Sequence, residues 1–145
     1  MHTTYILVLE KRTSSPVPLR TQSVFMKRGV YLYVGSAKRG MQARLARHVR
    51  KEKRLFWHID YVTSRADVTV KAIFLSSRKE CATLREISDL GILFGRRLGA
   101  SDCTCPSHFI HMPDKRLKQV MGALSQRCFI NVLAARNPKR ATRNT

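Results

Sequence analysis

The sequence predicts an α+β domain, a small and mostly antiparallel sheet of three to four strands flanked by helices. Three observations carry that expectation. Apolar residues alternate at a period of two in "TYILVLEK" and "GVYLYVG", the pattern of strands with buried faces. They recur at three- and four-residue spacing in "MQARLARHV" and "LKQVMGALS", the pattern of amphipathic helices. A chain of 145 residues that is 43% hydrophobic suits one domain with a real core, read as residues 1–135 with a basic tail over 136–145.

The first strand, "TYILVLEK", places Tyr5, Leu7 and Leu9 on one face and Ile6 and Val8 on the other. "RTSSPVPLRTQS" carries two prolines among small polar residues and reads as an excursion. "GVYLYVG" returns as a strand with Tyr31 and Tyr33 on one face, and Gly35-Ser36 marks its exit into a helix. In that helix Met41, Leu45 and Val49 form the packing stripe, whereas Arg44, Arg47, His48 and Lys51 gather on a basic arc. "WHIDYVTS" and "VTVKAIFL" read as two further strands, antiparallel neighbours across a turn near "SRAD". Trp57, Ile59 and Tyr61 then share one face, and His58 and Asp60 share the other, where a structural hydrogen bond between them is the ordinary expectation and a supporting role next to a catalytic face is the sharper one.

A helix "ECATLREISDLG" begins at Glu80, and a Cys-containing loop, "GRRLGASDCTCPSH", leads to a helix "DKRLKQVMGALSQ". In the latter, Asp114 is the expected N-cap and Leu117, Val120, Met121 and Leu124 are the buried stripe. "CFINVL" closes the fold as a short strand.

Charge narrows the function. With 28 Lys+Arg against 9 Asp+Glu, a formal net charge of +19 and a pI near 10.9, the surface suits a polyanion, and a nucleic acid is the default partner. No apolar run is long enough to span a bilayer and no cleavable signal opens the chain. A cytoplasmic location without membrane association follows as the expectation, with Cys81, Cys103, Cys105 and Cys128 as reduced thiols.

"YVGSA" at Tyr33–Ala37, with Arg44 nine residues after Gly35 and His48 one turn further on, resembles the GIY-YIG nuclease superfamily. The chain is similar to a small archaeal and bacterial branch of that superfamily, of largely unassigned function, at "TYILVL", "YLYVGSA", "RLARHVR", "WHIDY", "KECATL" and "GASDCTCPSHF", spanning about residues 3–112. The resemblance implies a metal-dependent endonuclease hydrolysing phosphodiester bonds in DNA, with a role in DNA repair. Its centre would be Tyr5, Tyr33, Arg44, His48 and Glu80, with Glu80 holding Mg2+ or Mn2+ and Glu86 as the fallback ligand. Tyr31, Ser36, Lys38, Arg39, Arg47 and Lys51 would contact the nucleic acid. A register pairing Tyr31 with Tyr33 is rejected because the two lie on one strand, whereas Tyr5 and Tyr33 can converge from neighbouring strands. The chain departs from the superfamily pattern in having Thr3-Thr4 rather than glycine before Tyr5, and a longer excursion between the strands.

The bland alternative is a non-catalytic basic nucleic-acid-binding module, since arginines on a helix can position phosphates without cutting them. Cys103, Cys105, His108 and His111 invite a structural zinc reading. Their C-x-C-x-x-H-x-x-H spacing departs from common zinc motifs, so the sequence favours a tight loop beside the site, organised by Asp102, Ser107 and His108, with the cysteines buried. Oligomeric state is not legible.

Overall fold

The computed structural model describes residues 2–100, 103, 105–127 and 130–132. Asp102 and the tail 136–145 lie outside the described residues. β1 (Thr4–Lys11) is the central strand, antiparallel to β4 (Gly29–Ser36) on one edge and to β5 (Val68–Ser76) on the other. Beyond β4 lie β7 (Phe109–Met112) and β6 (Ile92–Phe94), and beyond β5 lies the two-residue β8 (Ile130–Asn131). The sheet order is β6-β7-β4-β1-β5-β8. The α+β class and the antiparallel sheet are as the sequence predicts. The sheet is wider than three or four strands, because β6 and β7 come from short segments whose pairing is not written in a long alternation.

β1 and β4 are buried on both faces, which is why they read as nearly continuous apolar runs. Tyr5, Leu7, Leu9, Tyr31, Tyr33 and Phe109 pack on one face against Leu45 of α1 (Met41–Val49) and Ile59 and Val62 of α2 (His58–Thr63). Ile6, Val8, Leu32, Val34, Phe74 and Ile110 pack on the other against Leu84 and Ile87 of α3 (Glu80–Ile87) and Val120 and Leu124 of α4 (Leu117–Ser125). Each such buried aliphatic side chain contributes about 1.5–3 kcal/mol. The proline-bearing excursion folds as a small hairpin, β2 (Ser15–Pro18) with β3 (Ser23–Met26), which buries Val17 and Met26 on the tyrosine face.

Four local expectations are corrected. "WHIDYVT" is helix α2, not a strand: Ile59, Val62 and Thr63 are buried at helical spacing, and the Asp60 carboxylate accepts the backbone N–H groups of Phe56 and Trp57 at 2.9 and 2.8 Å. That cap satisfies orphan donors only a helix start would present. The expected His58–Asp60 bond gives way to an Arg47–Asp60 ion pair of 2.7 Å joining α1 to α2. Along α1 the buried residues are Leu45 and His48, and Val49 is 46% exposed. The last helix starts at Leu117 with Arg116 at its N-cap, so Asp114 does not cap it.

At the far end of β1, Lys11 is buried and its ammonium donates to Thr13 O, Ser15 Oγ and Asp67 Oδ2 at 2.5, 2.7 and 2.5 Å. Arg65 binds the other oxygen of Asp67. Asp67→Ala leaves a desolvated ammonium without its counter-charge, and urea unfolding should register a loss of roughly 3–5 kcal/mol; a change under about 0.5 kcal/mol would show the pair to be energetically idle.

Candidate active-site cleft

The site lies at the end of the sheet where β1 begins and β4 and β5 finish. Thr4 pairs with both Ser36 and Ser76 there, so the start of one strand and the ends of two converge. A cleft of about 510 Å3 opens at this end, and its walls include Tyr5, Tyr33, Ser36, Arg44, His48 and Glu80. Arg20 from the hairpin, Phe56, Trp57, His58 and Ile59 around the start of α2, and Gly99 complete the lining. The five side chains singled out as a centre are thus brought to one place from β1, β4, α1 and α3.

Tyr5 stands directly opposite Gly35 in the ladder, and Tyr33 opposite Leu7. The two tyrosines are diagonal neighbours on one face, with ring centroids 6.4 Å apart. A Cβ on Gly35 would meet Tyr5 Oη at 2.5 Å and the Tyr33 ring at 2.9 Å. The glycine of "YVG" is therefore required by close approach: the Tyr5 phenol crosses the strand where any side chain would stand.

The Tyr5 hydroxyl and His48 Nε2 lie 2.7 Å apart, both residues buried. Burial pushes the Tyr5 hydroxyl up to about 12 despite the nearby Arg44 guanidinium, and burial raises Tyr33 well above its ordinary value. Burial, helped by the Lys53 ammonium, lowers His48 to about 3. The pair is neutral at physiological pH, a phenol next to an unprotonated imidazole.

Arg44 is held from two sides. Its Nη1 donates to Ser36 O at 3.0 Å, and its guanidinium lies 4.4 Å from the centre of the Trp57 ring. Arg47 stacks on the same ring at 5.3 Å while bound to Asp60. Glu80, the first residue of α3, accepts Ser36 Oγ–H on Oε1 at 2.7 Å and faces His108 Nδ1 with Oε2 at 2.6 Å. Burial raises its pKa, but the His108 and Ser36 hydrogen bonds outweigh that and lower it, so the carboxylate is ionised.

The proposed nucleic-acid contacts divide. Ser36 lines the cleft, and Lys38 and Arg39 are exposed on the turn between Ser36 and α1. Tyr31 is elsewhere: it is buried, donates to Lys27 O at 2.8 Å and stacks on His111 at 4.2 Å. Lys51 donates to the carbonyls of Thr63, Arg65 and Val68, bracing α1 to the start of β5. Glu86 pairs with Arg78 rather than entering the cleft. The sequence sets His108 in a loop beside the site and His58 with Asp60 next to it, but not with the partners they have: His108 Nδ1 faces Glu80, and His58 Nδ1 accepts Gly99 N–H at 3.0 Å. Nothing local marks these pairings, because the partners are 28 and 41 positions away.

Fold and site together define an α+β domain with a tyrosine-, arginine- and carboxylate-lined cleft at one end of an antiparallel sheet. The chain belongs to the family described as domain of unknown function DUF123, whose model matches residues 4–129. No curated protein and no solved structure matches it. Among the described residues, no helix is long and apolar enough to cross a membrane.

Two measurements check this geometry. Gly35→Ala should destabilise the fold by roughly 1–3 kcal/mol through overpacking, and should displace Tyr5 from His48, visible as a shifted Tyr5 ring resonance; an unshifted resonance would contradict the close approach. His48 has a folded pKa below its unfolded value, so the unfolded chain binds the extra proton and stability falls as pH drops from 7 towards 3. Between pH 7 and pH 5 the wild type should lose about 2 kcal/mol more than His48→Gln in denaturant titrations.

Proposed function

We propose that this protein is a metal-dependent endonuclease of the GIY-YIG kind, hydrolysing phosphodiester bonds in DNA. The observation that carries the reading is the meeting of Tyr5, Tyr33, Arg44, His48 and Glu80 in one cleft of a chain with a net charge of +19. A cytoplasmic site of action and a part in DNA repair belong to the same proposal.

The donor set fits a divalent cation such as Mg2+ or Mn2+. Glu80 is ionised, 28% exposed, and an ionised carboxylate retains lone pairs beyond the two already engaged by Ser36 and His108. One carboxylate with waters and a substrate phosphate is the ordinary coordination of Mg2+. When bound, the metal supplies a Lewis acid that offsets phosphate charge.

The protein's own groups supply the rest. With its ring hydrogen on Nδ1, neutral His48 accepts a hydrogen bond from the Tyr5 hydroxyl at Nε2, which turns the lone pairs of the phenol oxygen to the cleft to orient the attacking water. Arg44 presents a permanently charged, planar donor set to the phosphate, and its bond to Ser36 O and its stack on Trp57 fix it in place before substrate arrives. Exposed cations such as Lys38 and Arg39 contribute affinity without sequence information.

One observation favours the second reading, a nucleic-acid-binding module without catalysis. Both Glu80 oxygens already have hydrogen-bond partners. The test incubates the protein with plain, flapped, branched and damaged DNA in magnesium or manganese. Wild type should cut at least one of them, Glu80→Ala should not, and Arg44→Ala should lose about 100-fold or more in cleavage rate while affinity falls only a few-fold. Salt-dependent binding with no cleavage in either metal would reject the nuclease and leave the binding module.

A further inference from the structure

Three thiols that the cleft chemistry does not use meet the imidazole of His108, whose other ring nitrogen faces Glu80. Cys81 comes from the first turn of α3, Cys103 and Cys105 from the loop before β7, and His108 from the residue preceding β7. Cys105 Sγ is 3.0 Å from Cys81 Sγ, and Cys103 Sγ is 3.2 Å from His108 Nε2. One ligand atom from each of the four lies within 4.8 Å of all the others.

We propose that Cys81, Cys103, Cys105 and His108 bind one Zn2+ in a closed, tetrahedral Cys3His site. Zinc–sulfur bonds of about 2.3 Å and zinc–nitrogen bonds of about 2.0 Å place tetrahedral ligand atoms roughly 3.5–3.8 Å apart. The four atoms are therefore already gathered at near-ligand separations, and adjustments of under about 1 Å would complete the shell. Three soft sulfurs and one imidazole select zinc over the hard cations suited to Glu80. Binding exchanges three thiol protons, released to solvent, for one dication, leaving the site with a single negative charge in a strongly basic chain.

His108 makes the strongest part of the case. Its Nε2 faces the thiols, while its Nδ1 faces Glu80 Oε2 at 2.6 Å and Val34 O at 3.1 Å. A zinc-bound histidine characteristically donates its other ring N–H to a carboxylate or a backbone carbonyl, which fixes its tautomer and orientation. Both kinds of acceptor are in place. The ring is also buried, 1% exposed, so it is held by packing before any ion arrives. His111, which the sequence spacing suggests as the fourth ligand, is instead stacked on Tyr31, and Cys81 takes its place. The three cysteines are partly exposed, which gives the ion a route in.

The zinc would tie the start of α3 to the segment that carries Cys103, Cys105 and His108 into β7, two parts of the chain about twenty residues apart in sequence. This is independent of the nuclease reading, and its readouts need no activity. Protein purified under reducing conditions with zinc supplied should carry about one zinc per chain by mass spectrometry of metals. The apoprotein should take up one Co2+ with the intense visible absorption of tetrahedral cobalt thiolate. Cys81→Ser and Cys103→Ser should each lose the zinc and shift that spectrum, and His111→Ala should keep both. Circular dichroism of each variant separates metal loss from unfolding, and the wild-type cobalt spectrum decides the matter even if a variant fails to fold. A zinc-free wild type that gives no cobalt–thiolate band, a bound zinc unaffected by Cys81→Ser, or a Cys81–Cys105 disulfide under the reducing conditions would overturn the proposal.

Discussion

Everything at the site depends on β1 being hydrogen-bonded on both edges and buried on both faces. A strand so enclosed cannot slip by one residue without exchanging its two sets of side chains between two different cores. Its register against β4 is thereby fixed, and with it the pairing of Tyr5 with Gly35. That pairing allows a phenol to cross the neighbouring strand and reach a histidine on a helix. The buried ion cluster of Lys11 and Asp67 anchors the opposite end of the same strand. The cleft is the open end of a rigid sheet, and its tyrosines are as fixed as the core around them.

The basicity of the chain has two physical components. Some of its cations are internal fasteners: Lys11 on Asp67, Arg47 on Asp60, Lys51 on three carbonyls, and Lys53 on Arg47 O, His48 O and Thr63 Oγ1. Burial brings Lys53 down to about 8, a sign of how far it is drawn into the fold. Others, such as Lys38 and Arg39, are exposed and available to a polyanion. Net charge alone does not separate the two groups, because a lysine that caps carbonyls and a lysine that meets phosphate look the same in a sequence.

Strands β1 and β4 were legible because two-sided burial writes long apolar runs, and the five residues of the proposed centre were legible through their spacing around Gly35 and the position of Glu80. α2 was not, because five residues of "WHIDY" satisfy a period of two as well as a helical stripe does, and the deciding feature is the Asp60 cap. Tyr31 shares its strand face with Tyr33, as the period of two requires. Whether that face is cleft or core depends on what covers it, and Phe94 and His111 cover it. Cys81 as a neighbour of Cys103, Cys105 and His108 was out of reach for the same reason: it is 22 residues from Cys103 in the chain, and only the packing of α3 on β4 and β1 closes that gap.

The chain contains a single tryptophan, and it stands in the cleft wall with two guanidinium groups over its ring. The residue is 37% exposed, and its ring lies against Arg44, one of the arginines that line the cleft. The protein therefore carries an intrinsic fluorophore in the wall of its cleft, placed to report on what enters there without an attached label.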